Sequence, residues 1–201
     1  MNDPLGIATE SRPLCRSYVC AVFGTLSFKL QGDPWTRAEQ LSWALGILLD
    51  GQPHYLGSWQ LLDQPTCWSC IAHDLHVRGI ERLRFVVGPA PAEIGATLLS
   101  LHTGVTVLPP FGKFLDQCLI DSLHPGHRPY IERAHEVSTQ MDRRFKRAVA
   151  RYGAFSSADA ASALLRRSAE RYLATNRPAQ AESPPPTRRA YGRSAALPAT
   201  H

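Results

Sequence analysis

The 201 residues, with 44% hydrophobic side chains and a net charge of +5, fit one domain of ordinary size plus tails. No apolar run approaches the roughly 18 residues of a membrane-spanning helix, and residues 1–11 lack the basic-then-apolar pattern of a secretory leader, so a cytoplasmic protein without membrane contact is expected. Five cysteines, an odd number at irregular spacing, do not suggest a disulfide framework.

Residues 1–14 show little periodicity and contain Pro4 and Pro13, which predicts a flexible N-terminus. From Ser17 to Leu30, the residues Tyr18, Val19, Val22, Phe23 and Phe28 alternate with small ones and predict a long strand. Leu41–Leu49 reads as a second strand, Asp50-Gly51 as a hairpin turn, and His54–Trp59 as a third strand. A helix follows, with Asp63 as cap and Pro65 in its first turn; Trp68, Ile71, Ala72 and Leu75 share one face. Gly79 ends it. Leu83–Val87 suits a buried strand, Pro91–His102 a helix, and Val105–Leu108 a short strand. Three antiparallel strands followed by alternating helix and strand is the order of a ribonuclease-H-like α/β core.

Between Tyr130 and Tyr152, Ile131, Ala134, Met141, Phe145, Ala148 and Tyr152 predict a long amphipathic helix. Its C-terminal half carries Arg143, Arg144, Lys146, Arg147 and Arg151. Gly153 breaks it, and Ser156 with Asp159 forms an S-x-x-D capping box for a final helix reaching about Ala174. Residues 176–201 hold five prolines and four arginines with few large apolar side chains, which predicts a disordered tail. The expected organisation is a flexible N-terminus over 1–14, a core over 15–127, a basic helical segment over 128–175 and a disordered basic tail over 176–201.

Charge divides along the same line. Residues 1–142 carry 10 Lys/Arg against 14 Asp/Glu, whereas residues 143–201 carry 12 against 3. A basic C-terminal third suits an anionic partner such as nucleic acid, and equally a solvated tail.

Cys67-Trp68-Ser69-Cys70-Ile71-Ala72-His73-Asp74-Leu75-His76-Val77-Arg78-Gly79-Ile80 resembles, without a gap, the segment F-W-x-x-V-L-x-D-L-x-x-R-G-V of the mutator-type transposases. Trp68, Asp74, Leu75, Arg78 and Gly79 match it. Upstream, Ala44-Leu45-Gly46, Asp50-Gly51 and Tyr55-Leu56-Gly57-Ser58-Trp59 resemble that family's A-L-G … D-G … L-G-x-W hairpin. The resemblance covers about residues 17–120. It implies a ribonuclease-H-like DDE core of cut-and-paste DNA transposition and recombination. In such a core two or three acidic residues hold two divalent ions that activate water and stabilise the leaving oxygen.

The acids themselves do not match. The family's first Asp, in an L-D-A pattern, falls on Phe23-Gly24-Thr25, and no Asp or Glu occurs between Ser17 and Gln31. The second, in a V-D-G pattern, falls on Val86-Val87-Gly88, ahead of Pro89, and the nearest acid is Glu93. Cys118-Leu119-Ile120-Asp121 stands where the family has C-x-x-H, the segment supplying the third carboxylate has no counterpart, and no DNA-binding domain is legible ahead of the core. Thr175-Asn176 echoes a T-N pair of the family at too short a distance from the core. The resemblance therefore implies a shortened, degenerate and catalytically inactive transposase-like protein, with no catalytic or metal-binding residues and at most a DNA-binding or regulatory role. It would be a remnant of a mobile element, or a retained regulator that binds element ends or intact transposase subunits. No cofactor is expected; Mg2+ enters only under the alternative of an active transposase with its acids elsewhere. A protein-interaction module using the helices after Tyr130 is the third reading.

Three further groups invite chemistry. Cys67-x-x-Cys70 with His73 and His76 has spacing for zinc or thiol redox chemistry, although Cys67 and His73 diverge on one continuous helix and an ordinary helix face is the plainer reading. Asp116, Asp121, His124, His127 and Glu132 surround Pro125-Gly126 and read as a divalent-metal site or, more plainly, a polar turn. Arg143, Arg147 and Arg151 lie four apart, so they line one helical stripe flanked by Arg144 and Lys146, suited to weak, non-specific phosphate contacts with DNA. As a solvated helix face, the stripe needs no partner. Trp43, Trp59 and Trp68 read as core. Homo-oligomers are compatible with all of this.

Overall fold

Strand β1, Ser17–Leu30, is the centre of a mixed sheet. In the computed structural model, which describes residues 12–32, 38–61, 67–89, 104–112 and 115–176, it pairs antiparallel with β2 (Glu39–Ile47) and parallel with β4 (Arg82–Val87). Strand β3 (Pro53–Gln60) extends the antiparallel side and β5 (Thr106–Leu108) the parallel side, giving the order β3-β2-β1-β4-β5. The architecture is α/β with an open mixed sheet and helices on both faces. A two-residue strand β6, Ala154–Phe155, pairs with the far end of β1; so short a strand has no periodicity to read.

The helices are α1 (Cys67–Val77), α2 (Gln117–Ser122), α3 (Arg128–Tyr152) and α4 (Ala158–Thr175), with a single 3-10 turn at Pro125–His127. Alternation along β1 and β2 divides the apolar side chains between the two faces of the sheet. Phe23 and Ala44 join Trp68, Ile71 and Leu75 of α1 on one face. Leu26, Phe28, Leu41, Trp43 and Leu45 join Met141 and Phe145 of α3 and Leu165 of α4 on the other. The helical segment after residue 128 is therefore one wall of the same core. Trp43, Trp59 and Trp68 are all buried, as expected from their positions.

Leu56 and Trp59 are three apart, yet both pack on the α1 side. A register shift between Ala44 and Leu45, where Gly57 and then Tyr55 stand opposite, makes this possible. A bulge inserts one residue and returns both side chains to one face. At the β2–β3 turn, Gly51 takes φ +78°, a conformation that favours glycine, and Asp50 Oδ1 accepts the Gln52 N–H at 2.9 Å. The turn expected at Asp50-Gly51 is present, but β2 stops at Ile47 rather than Leu49, because the turn's own hydrogen bonds already begin at Leu48.

Tight coupling of the hairpin to α1 explains the motif residues. Arg78 Nη1 donates to Leu56 O at 2.7 Å and to Asp74 Oδ2 at 3.2 Å, and Trp59 Nε1 donates to the same carboxylate oxygen at 3.1 Å. Asp74 and Arg78 are both buried. Residues 12–14, read above as the end of a loose lead-in, are tied to this unit: Arg78 Nε donates to Arg12 O at 3.1 Å and Leu14 N to Arg78 O at 2.8 Å.

Two local expectations change. Ser156 does not cap α4; Ser157, in extended conformation, accepts the Ala160 N–H at 3.2 Å. The cap therefore shifts by one residue, and with Ala160 rather than Asp159 three residues after it the expected capping box does not form. Ser157→Ala should cost about 1 kcal/mol in urea unfolding while Ser156→Ala costs about a few tenths at most; equal effects would contradict this assignment. Helix α3 begins at Arg128, with Pro129 in its first turn. The helix expected at 91–102, the Asp63 cap with Pro65, Glu93, residues 1–11 and the tail from 177 onward lie outside the described residues.

Candidate functional site

Helix α3 spans Arg128–Tyr152 and buries Val137, Met141, Phe145 and Val149 against the sheet. The 3.6-residue repeat then turns Arg143, Arg144, Lys146, Arg147 and Arg151 outward, and all five are exposed. They do not act as one uniform stripe. Arg147 Nε donates to Arg143 O at 3.2 Å, along the stripe. Arg144 leans the other way, its guanidinium carbon 4.6 Å from the centre of the Tyr172 ring on α4. Lys146 Nζ bonds Asp142 Oδ2 at 2.6 Å. Burial raises the Tyr172 phenol above its ordinary value, so it remains a neutral donor to Gln140 Oε1 at 2.6 Å.

Arg143 and Lys146 also form the rim of a cleft of about 440 Å³ between α3 and the sheet. Its floor is Gly24 of β1, Trp43 of β2 and Val87 at the end of β4, with Ser138, Thr139 and Asp142 on the helical wall. Gly24 and Val87 are the positions where the resemblance in the sequence leads acids to be expected. They are 63 positions apart in the chain, and the parallel pairing of Val22 with Val87 brings them to one floor. Gly24 stands opposite Trp43 in the sheet, and a Cβ built on it lies 2.2 Å from Trp43 Cζ2 and 2.4 Å from Cε2. The indole fills the space a side chain at 24 needs. It rests edge-on against Phe145 at 5.4 Å, and its Nε1 has no hydrogen-bond partner among the described residues, so packing alone holds it.

Among the described residues, the one carboxylate lining the cleft is Asp142, which went unnoticed in the sequence because it sits among arginines on a helix and matches no motif. Bonded to Lys146, it cannot anchor two divalent ions by itself; Gly24 and Val87 supply no side-chain oxygen. Among the described residues, the donor set of this cleft does not fit a two-metal centre.

The other two clusters resolve into structural roles. Asp116 Oδ1 accepts the Cys118 N–H at 2.9 Å and caps α2; Asp121 accepts from Gln117 at 3.1 Å; His124 Nδ1 accepts the Gly126 N–H at 3.2 Å. His127 packs edge-on to Phe85 at 5.1 Å, and Glu132 is exposed. The segment is capped helix and 3-10 turn rather than a simple polar turn. On α1, Cys70 is half-buried while His73 and His76 face outward; the Cys67 side chain lies outside the described residues. Among the described residues no three His, Cys, Asp or Glu side chains gather as a metal site, and no helix is long and apolar enough to cross a membrane. No protein-family model matches the chain, and no curated protein matches its sequence.

Proposed function

We propose that the chain is a catalytically disarmed, ribonuclease-H-like relative of the mutator-type transposases that retains weak, sequence-independent DNA binding through α3. The observation that carries this reading is the floor of the cleft. The positions at which the resemblance places two acids converge there, and they hold Gly24 under a tryptophan and Val87. The strand order, antiparallel on one side of β1 and parallel on the other, supports a ribonuclease-H-like core. The two motif segments support it as well, since L-G-x-W and D-L-x-x-R-G meet in one buried network of Trp59, Asp74 and Arg78.

Phosphate contacts by Arg143, Arg147 and Arg151 position a duplex without reading its bases. Fluorescence anisotropy with duplex DNA across a salt series, magnesium present, tests the reading. Affinity should fall steeply with salt, and replacing the three arginines with Gln should flatten the log–log slope by roughly 2–3. Cleavage that a chelator abolishes would instead establish the active-transposase alternative. Absence of binding at low salt would remove the DNA role.

A further inference from the structure

Cys15, just ahead of β1, forms a pair with a histidine from another strand. Its Sγ lies 3.8 Å from Nδ1 of His54 on β3. The same nitrogen is 3.3 Å from Tyr18 Oη, and that oxygen accepts the Cys15 backbone N–H at 3.2 Å. Burial raises the Tyr18 phenol well above its ordinary range, so it stays a neutral hydroxyl. In the tautomer protonated at Nε2, with the Tyr18 hydroxyl hydrogen turned away from the ring, the single lone pair of Nδ1 is open to the thiol proton.

This pair lies in the wall of a second cleft, of about 830 Å³, far larger than a lone surface thiol requires. Arg12, Arg166 and Arg167 line the cleft with a single acid, Glu170, which pairs with Arg12 at 3.8 Å. The cationic excess favours an anionic visitor. Cys20 offers the contrast: it is fully buried, and burial pushes its thiol up. Cys118 is exposed on α2 and provides an internal reference.

We propose that Cys15 is a covalent modification site for small anionic disulfides of the glutathione-disulfide class, with His54 as its base. The thiol proton passes to His54 Nδ1, and Cys15 Sγ attacks one sulfur of the incoming disulfide. A mixed disulfide forms as the reagent's own S–S bond breaks. Its other half leaves as a thiolate and takes up the proton from His54. The incoming disulfide is the oxidant and the released thiol its reduced half. Nothing in this step draws on the α3 cleft.

The full chain is exposed briefly to glutathione disulfide, to a dianionic aromatic disulfide and to neutral dipyridyl disulfide, and adducts are mapped by peptide mass. Cys15 should be modified by the glutathione and dianionic reagents about tenfold faster than Cys118. His54→Gln should bring Cys15 down to the Cys118 rate. Arg166→Gln with Arg167→Gln, both on an exposed helix face, should slow the dianionic reagent about threefold or more and leave the neutral one unchanged. Equal rates at Cys15 and Cys118 in the wild-type chain would overturn the proposal, without reference to any variant. So would a His54→Gln chain of unchanged circular dichroism whose Cys15 keeps its rate, or an arginine variant that alters neither reagent.

Discussion

Replacing Arg78 with Met is expected to lower the free energy of unfolding by about 3–5 kcal/mol, because it strands a buried carboxylate. Arg78 and Asp74 have side chains only 4% and 6% exposed. The guanidinium also serves Leu56 O on β3 and Arg12 O ahead of β1, so one side chain ties three segments together. Met fills much of the same volume but donates nothing, leaving Asp74 with the Trp59 N–H. Urea unfolding of Arg78→Met, Asp74→Leu and the double variant measures the pair. The double variant should be less destabilised than Arg78→Met alone, since it removes the stranded charge together with its partner. A loss below about 1 kcal/mol for Arg78→Met would mean that water reaches Asp74 and the network is not buried as described.

Gly24→Ala is expected to destabilise the chain by about 1–3 kcal/mol, although alanine is the smallest side chain available. Its Cβ has no room: Trp43 Cζ2 lies 2.2 Å from the place it must occupy. Trp43 cannot withdraw easily, being buried against Phe145 on α3. Truncating Trp43 to Ala opens that space, so Gly24→Ala should become neutral or stabilising in the Trp43→Ala background. The double-mutant cycle should report coupling of about 1 kcal/mol or more. Additive effects would mean the indole does not occupy the floor of the cleft. The consequence for function is direct. Gly24→Asp alone cannot rebuild a metal ligand, because the carboxylate would overlap the indole, and Val87 remains apolar beside it. A side chain at position 24 and the Trp43 indole compete for one space.

Much of this molecule is written in local pattern. The β-branched and aromatic residues from Ser17 to Leu30 mark β1, and Asp50-Gly51 marks the β2–β3 hairpin, since strand propensity and a positive φ are local properties. The outward basic face of α3 follows from spacing alone. The basic residues' partners do not, because Tyr172 under Arg144 comes from another helix, and nothing local links positions 28 apart. The Ser156 cap fails for a related reason: two adjacent serines are equally suited by type, and the packing of α4 on β3, where Ser58 Oγ meets Ser162 Oγ at 2.6 Å, accompanies the frame in which Ser157 caps. The two-residue β6 and the Leu56–Trp59 bulge exist only against partner strands. Absence of acids at 24 and 87 could be read from the residues. That Trp43 fills the one place, that Asp142 faces the same cleft, and that Cys15 meets His54 across 39 positions depended on tertiary structure, because each is a contact between segments whose sequences carry no record of one another.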